Sequence, residues 1–233
     1  MEKLIFILLL ASPLSVVVFH FIKLKFNKII IREGYFTLPI IFNSISFMML
    51  LFNYESLNKL EFSYIKIHSS LISLIFSFNN FNLLMCLIVL VISICVLIYS
   101  YKFISNENYQ RKFRYSIFLN IFISSMVLFS LSDDLLSSFI FWEFLGLCSF
   151  FLIAYYNSDV KAIYSSTMAF WITRFGDLFF LMGLIIIYLG SQSLSISSIN
   201  NFLINSNNYS DNLALFFILI GIFTKCAQYP FTI

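Results

Sequence analysis

Charge is what this sequence has least of. Asp, Glu, Lys and Arg supply 11% of its 233 residues, where a soluble domain carries about 25%. With a mean hydropathy of +0.94, that shortage excludes a soluble fold. The formal net charge is only +3 and the basic residues are spread over loops, so nucleic acid is excluded as a partner. Histidine is nearly absent, and His20 and His68 stand far apart, which leaves no basis for a haem or metal site. Cys86, Cys95, Cys148 and Cys226 lie singly in apolar segments with no C-x-x-C pair. They read as buried, inert thiols rather than a disulfide or metal framework. Short alternating segments are also missing, and with them the pattern of a membrane β-barrel. Glycine (6) and proline (3) are scarce beside 31 Phe and 13 Tyr. Aromatics suit a lipid-exposed bundle, and so one-sided a preference also follows from AT-rich codons, a bias common in organellar genomes.

What the chain has instead is apolar length. Several runs approach 20 residues, enough for a helix to cross a hydrocarbon core of about 30 Å with its own backbone hydrogen bonds satisfied. The pattern predicts an all-α, polytopic transmembrane helix bundle of about seven spans, at 4–22, 35–52, 81–101, 115–131, 135–156, 162–189 and 212–233. The N-terminus lacks the Arg- and Ser-rich pattern of an imported precursor, and no clean cleavage site follows Pro13, so the first run reads as a retained span. Residues 53–80, with Glu55, Lys59, Glu61 and Lys66, hold an apolar piece too short to cross and read as an extramembrane hairpin or interfacial turn. Residues 191–211 are Ser/Asn-rich, without Lys or Arg, and read as a connector. Two segments result: 1–130 with spans one to four, and 131–233 with spans five to seven.

Basic residues set an orientation. The loops after spans one, three and five hold nine Lys/Arg (Lys23, Lys25, Lys28, Arg32, Lys102, Arg111, Lys112, Arg114, Lys161), against Lys3, Lys59 and Lys66 on the other side. The positive-inside rule then places 23–34 and 102–114 inside and the N-terminus outside. In a mitochondrion, inside is the matrix.

Four charges break the apolar pattern where lipid should forbid them. Glu143 stands near the middle of span five, Arg174 and Asp177 near the middle of span six, and Lys225 well inside span seven. At 1.5 Å per residue Lys225 lies roughly 20 Å deep, close to the midplane. An ionisable group at that depth costs roughly 2.5–3.5 kcal/mol on insertion scales, so a use or a partner is implied. Arg174 and Asp177 share a helix face at a three-residue spacing and are placed to pair; Glu143 and Lys225 have no sequence-local partner. Removal from water destabilises the charged form of an acid or a base, which brings proton exchange within reach of neutral pH. The constellation therefore reads as a proton relay in preference to structural salt bridges. Ser165, Ser166, Thr167, Thr173 and Thr224 could bridge its steps, but hydroxyls in membrane helices more often bond their own backbone. Gly221 before Lys225 and Pro230 after it point to a helix that breaks just beyond the lysine, as transport-site helices do.

The strings Phe141-Trp142-Glu143-Phe144-Leu145-Gly146-Leu147-Cys148-Ser149, Ala169-Phe170 through Arg174-Phe175-Gly176-Asp177, and Thr224-Lys225-Cys226-Ala227-Gln228-Tyr229-Pro230-Phe231 resemble subunit 5 of the proton-pumping NADH:ubiquinone oxidoreductase, respiratory complex I. The likeness covers about 130–233; earlier residues resemble it in span layout. Trp-Glu and Lys-x-x-x-x-Pro fit any antiporter-like subunit, while Gly-Leu-Cys-Ser and Arg-x-Gly-Asp favour subunit 5 over subunits 2 and 4. The resemblance implies the first half of an inverted-repeat fold, with Glu143 and Lys225 acting together in proton translocation and Asp177 tuning the pair. It implies no cofactor in this chain: NADH, FMN, iron–sulfur clusters and ubiquinone would be used elsewhere in the complex. It implies other membrane-arm subunits as partners, a mitochondrial inner-membrane location, and a separate polypeptide carrying the C-terminal half of the subunit. Met168 and Thr232 depart from the family's usual lysine and histidine. Two other readings compete. One is a subunit of a multi-subunit cation/proton antiporter, which works without NADH oxidation; the other is a membrane anchor with frozen ion pairs.

Overall fold

In a computed structural model of the chain, which describes residues 2–26, 34–52, 57, 59–67, 70–156, 158–205 and 209–231, the apolar runs are helices. The first of two compact units comprises residues 1–60 and 77–131. It holds α1 (Glu2–Phe26), α2 (Gly34–Phe52), α3 (Asn80–Phe103) and α4 (Tyr109–Leu131). Several polar groups inside it are paired across helices, which offsets the cost of burying them away from water. Ser12 and Ser124 hydroxyls lie 3.2 Å apart between α1 and α4, and Ser100 meets the Tyr115 hydroxyl at 3.2 Å between α3 and α4. His20 Nδ1 lies 3.2 Å from the hydroxyls of both Tyr35 and Tyr109. Outward faces carry bare hydrocarbon, such as Ile88, Ile92 and Ile98 on α3, as a lipid solvent demands.

The second unit comprises residues 61–76 and 132–233. It contains a two-stranded hairpin, β1 (Leu60–Ile67) with β2 (Ser70–Phe76), and helices α5 (Leu135–Ile153), α6 (Val160–Ser191), α7 (Ile196–Asn205) and α8 (Tyr209–Lys225). Asp134 holds one end together. Its carboxylate accepts from Ser137 N at 2.7 Å, capping α5, and from Ile75 N of β2 at 2.8 Å, and it also takes the Ser137 hydroxyl. Beside it Asp133 N donates to Ile75 O, Leu135 N to Leu194 O and Ile196 N to Asp133 O. The hairpin, the α4–α5 corner and the connector after α6 therefore lie on one side, as alternating spans require. Helices α6 and α8 approach closely because small residues meet there. A Cβ on Gly183 would fall 2.7 Å from the Ala214 carbonyl oxygen, and one on Gly221 2.8 Å from Phe180 Cβ.

The chain is a multi-pass helical membrane protein. Five of its described helices are long and apolar enough to cross, Tyr35–Phe52, Asn80–Phe103, Tyr109–Leu131, Leu135–Ile153 and Val160–Ser191. Of the seven expected spans, the apolar run of α1 (Phe6–Phe21) and the 17-residue α8 fall short of that length.

Three expectations change and one holds. Residues 191–211 are not a plain connector: Ile196, Ile199, Phe202 and Leu203 recur on one face and make α7 amphipathic. Ile199 is buried with Ile187 and Ala214, and Leu203 packs against them. Within the 53–80 segment, β1 and β2 form the hairpin expected there, while 53–56, 58 and 68–69 lie outside the described residues, as do 27–33 of the basic loop. Span seven does not run on to 233 but stops at Lys225. Of the cysteines, Cys86 and Cys148 are buried, whereas Cys95 and Cys226 are exposed.

Candidate functional site

All four charged residues singled out in the sequence come together within the second unit. Glu143 on α5 forms a direct ion pair with Arg174 on α6. The guanidinium also sits 4.7 Å above the Phe170 ring, a contact that stabilises a cation away from water. Asp177, one turn further along α6 and only 3% exposed, accepts the Trp142 indole N–H through Oδ1 at 2.7 Å. That same Oδ1 lies 3.9 Å from Lys225 Nζ. Its other oxygen, Oδ2, is buried without a hydrogen-bond donor and lies 4.0 Å from Arg174 Nη1.

The pairing differs from the expected one. Arg174 and Asp177 do share a face, but the arginine's close partner is Glu143 across the helix interface. A three-residue spacing brings two side chains near each other without deciding which acceptor on the facing helix competes. Lys225 is not seated on Glu143 either; it donates to the Trp142 carbonyl oxygen at 2.9 Å and stands 4.8 Å from the centre of the Trp142 ring.

Local sequence explains these placements. The Trp142 carbonyl can be reached because α5 has Gly146 one turn on; a Cβ there would lie 3.1 Å from Nζ. Gly176, between Arg174 and Asp177, admits Thr224, whose Oγ1 would lie 1.7 Å from a Cβ at that position. Helix α8 ends at the lysine through a left-handed Ala227 (φ 49°). Gln228 N donates to Phe223 O and Ala227 N to Thr224 O, the bond pattern of a Schellman cap. The chain thus breaks just beyond Lys225 as expected, but by this cap, while Gly221 serves packing against α6. The ammonium sits at the negative end of the α8 dipole, which favours a cation.

Of the hydroxyls considered as bridges, Ser166, Thr167, Thr173 and Thr224 bond carbonyls of their own helices, and Ser165 is exposed. Trp142 is the participant that sequence reasoning left without a role. Its signal was available: an indole N–H within an apolar span must find an acceptor. Chemically, two carboxylates and two cations form a formally neutral cluster in which Asp177 Oδ2 is buried without a hydrogen-bond donor.

Residues 132–233 match the family described as NADH:quinone oxidoreductase/Mrp antiporter, TM. Residues 64–113 match the one described as NADH-ubiquinone oxidoreductase (complex I), chain 5 N-terminus. NADH-quinone oxidoreductase subunit L of Buchnera aphidicola subsp. Baizongia pistaciae is 35% identical over 128 residues, 53% of this chain and 20% of that protein. The putative antiporter subunit mnhA2 of Staphylococcus aureus is 31% identical over 203 residues, 86% of this chain and 25% of that protein. The chain thus spans a quarter or less of the length of these curated relatives. A similar fold occurs in the Mrp complex from Dietzia sp. DQ12-45-1b (TM-score 0.76, 21% identity, 97% of this chain and 24% of that one). It recurs in the archaeal membrane-bound sulfane sulfur reductase (TM-score 0.79, 18% identity, 99% and 45%).

Proposed function

Because the chain belongs to the antiporter-like membrane-subunit family shared by complex I and Mrp antiporters, we propose that its second unit carries a proton-relay site of complex I. In this reading the chain is subunit 5, or the part of it that holds spans one to seven. One observation carries the proposal: Glu143, Arg174, Asp177 and Lys225 lie in contact among three apolar helices. Groups held at that depth only for stability would be better replaced by hydrocarbon.

The chemistry follows from the cluster's neutrality. A proton arriving on the open Oδ2 of Asp177 removes one negative charge and leaves Arg174 and Lys225 facing a single carboxylate, Glu143. The surplus positive charge, felt over a few ångströms in a poorly screened interior, drives a proton off Lys225, the cation able to release one; arginine holds its proton throughout. Entry and exit are thus coupled through space. The redox energy that resets the cycle would come from NADH oxidation in other subunits, which carry FMN, iron–sulfur clusters and the ubiquinone site.

The test is Lys225→Met in the intact assembly. We expect the assembled amount to hold and NADH-driven proton transfer to fall at least about tenfold, the scale of losing a proton-transfer group. Unchanged transfer would defeat the relay. A second reading, a subunit of a multi-subunit cation/proton antiporter, draws on the longer match to the antiporter subunit, 203 residues against 128. NADH oxidation that copurifies with the chain decides for complex I; cation-dependent proton exchange without it decides for the antiporter. The mitochondrial inner membrane is the proposed location, supported by the AT-type composition and checked by fractionation. Copurification with membrane-arm subunits, and with a polypeptide supplying the rest of the subunit, tests the partners.

A further inference from the structure

We propose that Trp142 is the positioning residue of the charge cluster, holding Lys225 and Asp177 in register; this rests on the relay reading above. Three groups of this one residue converge on the pair. The backbone carbonyl accepts from Lys225 Nζ at 2.9 Å, the ring lies 4.8 Å from the same ammonium, and the indole N–H donates to Asp177 Oδ1 at 2.7 Å. The lysine and the aspartate themselves are 3.9 Å apart, too far for a direct hydrogen bond. Their alignment is therefore made through Trp142 and not by each other.

The neighbouring residue points elsewhere. Glu143 follows Trp142 by one position, roughly 100° around the helix, and engages Arg174. Helix α5 thus addresses the two cations with two successive side chains. Trp142 keeps Lys225 beside Asp177, while Glu143 takes the closer contact of Arg174, which stands 4.0 Å from Asp177 Oδ2. An indole N–H only donates, so it keeps Oδ1 of Asp177 free of a proton in either state of the carboxyl and leaves Oδ2, buried and without a donor, as the atom that receives a proton. Phe180 stacks on the indole at 5.8 Å and fixes its plane. Gly146 keeps the route to the carbonyl open; its missing Cβ would stand 3.1 Å from Nζ.

The role separates into a donor and a ring, which two substitutions isolate. Trp142→Phe keeps an aromatic face and removes the N–H. Trp142→His gives up ring area but keeps a nitrogen at the corresponding position, two bonds beyond Cγ. In the intact assembly at pH 8, where a free imidazole is neutral, Trp142→Phe should lower proton transfer about tenfold, the loss of a hydrogen bond to a charged acceptor. Its pH profile should move by about half a unit or more, and Trp142→His should recover most of the rate. A packing residue gives a different result: both variants lose assembled protein, or both lose rate equally with the pH profile unmoved. Either outcome overturns the proposal, as does a Trp142→Phe variant that matches the parent. Lys225→Met, measured alongside, keeps the two ideas apart. If it too transfers protons normally, the relay reading has failed; if it is inactive while Trp142→Phe is normal, only the role of Trp142 has.

Discussion

A charge inside an apolar span is tolerated when something opposite holds it, and the half-buried Glu143–Arg174 pair can be tested on that principle. Removing one member of an ion pair strands the other in lipid, which costs far more than the pair itself contributes. Arg174→Leu should therefore leave Glu143 uncompensated and reduce the amount of assembled protein. Glu143→Gln should be mild for assembly, because Arg174 can turn to Asp177 Oδ2, now 4.0 Å away. The double variant Arg174→Leu/Glu143→Gln should assemble better than Arg174→Leu alone, with proton transfer at least about tenfold below the parent. Blue-native gels and proton transfer in membrane vesicles measure both. If the double variant assembles no better than the single, the pair is not what accommodates either charge. The sequence identified all four charged residues because depth in an apolar run is one-dimensional information. Their pairing was not legible, since which carboxylate Arg174 meets depends on the rotation of α5 against α6. Trp142 shows the same limit: the need for an acceptor could be read from its indole, but not the acceptor's identity.

Helices were legible wherever one property dominated their length. Apolar runs located six of the seven apolar helices within a few residues of their ends, apart from the early start of α4 at Tyr109. Helix α7 was hidden because serine and asparagine dilute its apolar stripe, and only its period reveals it. The end of α8 was hidden for another reason. A Schellman cap usually takes glycine, and here Ala227 occupies the left-handed position, where an L residue pays about 1–2 kcal/mol. Contact between α6 and α8 gives a test at this scale. Gly176→Ala would drive its Cβ into the Thr224 side chain, which can be removed; Gly183→Ala would drive its Cβ to 2.7 Å from the Ala214 backbone oxygen, which cannot. Both should lower the assembled amount. Thr224→Gly should restore much of it to Gly176→Ala, less the roughly 1 kcal/mol that a helix glycine costs, whereas side-chain changes on α8 should not rescue Gly183→Ala. Equal tolerance of both substitutions would mean the two helices are less closely apposed than their small residues require.

For the whole molecule, the remaining question is which way it faces. Read along the sequence, the turns between spans assign nine Lys/Arg to one side against three to the other, a bias of the kind that sets membrane orientation. The structure supplies an independent constraint. Strand β2, the corner at Asp133 and the segment before α7 are joined by backbone hydrogen bonds, so these three connections share one side whatever the charges say. Helix α6, 32 residues long, extends about 48 Å and carries Lys161 at its opposite end, well beyond the roughly 30 Å of hydrocarbon. We therefore expect cysteines introduced at Asn106, in the turn between α3 and α4, and at Asn200, on the exposed face of α7, to react from opposite sides. With the exposed Cys95 and Cys226 replaced by alanine, an impermeant thiol reagent added to right-side-out membranes should modify Asn200→Cys only. In inverted membranes it should modify Asn106→Cys only. If both react from one side, the number of crossings between them is even instead of odd, and one of α4, α5 and α6 does not span. If each reacts from the side opposite to that expected, the helix count stands and the charge bias does not set the orientation.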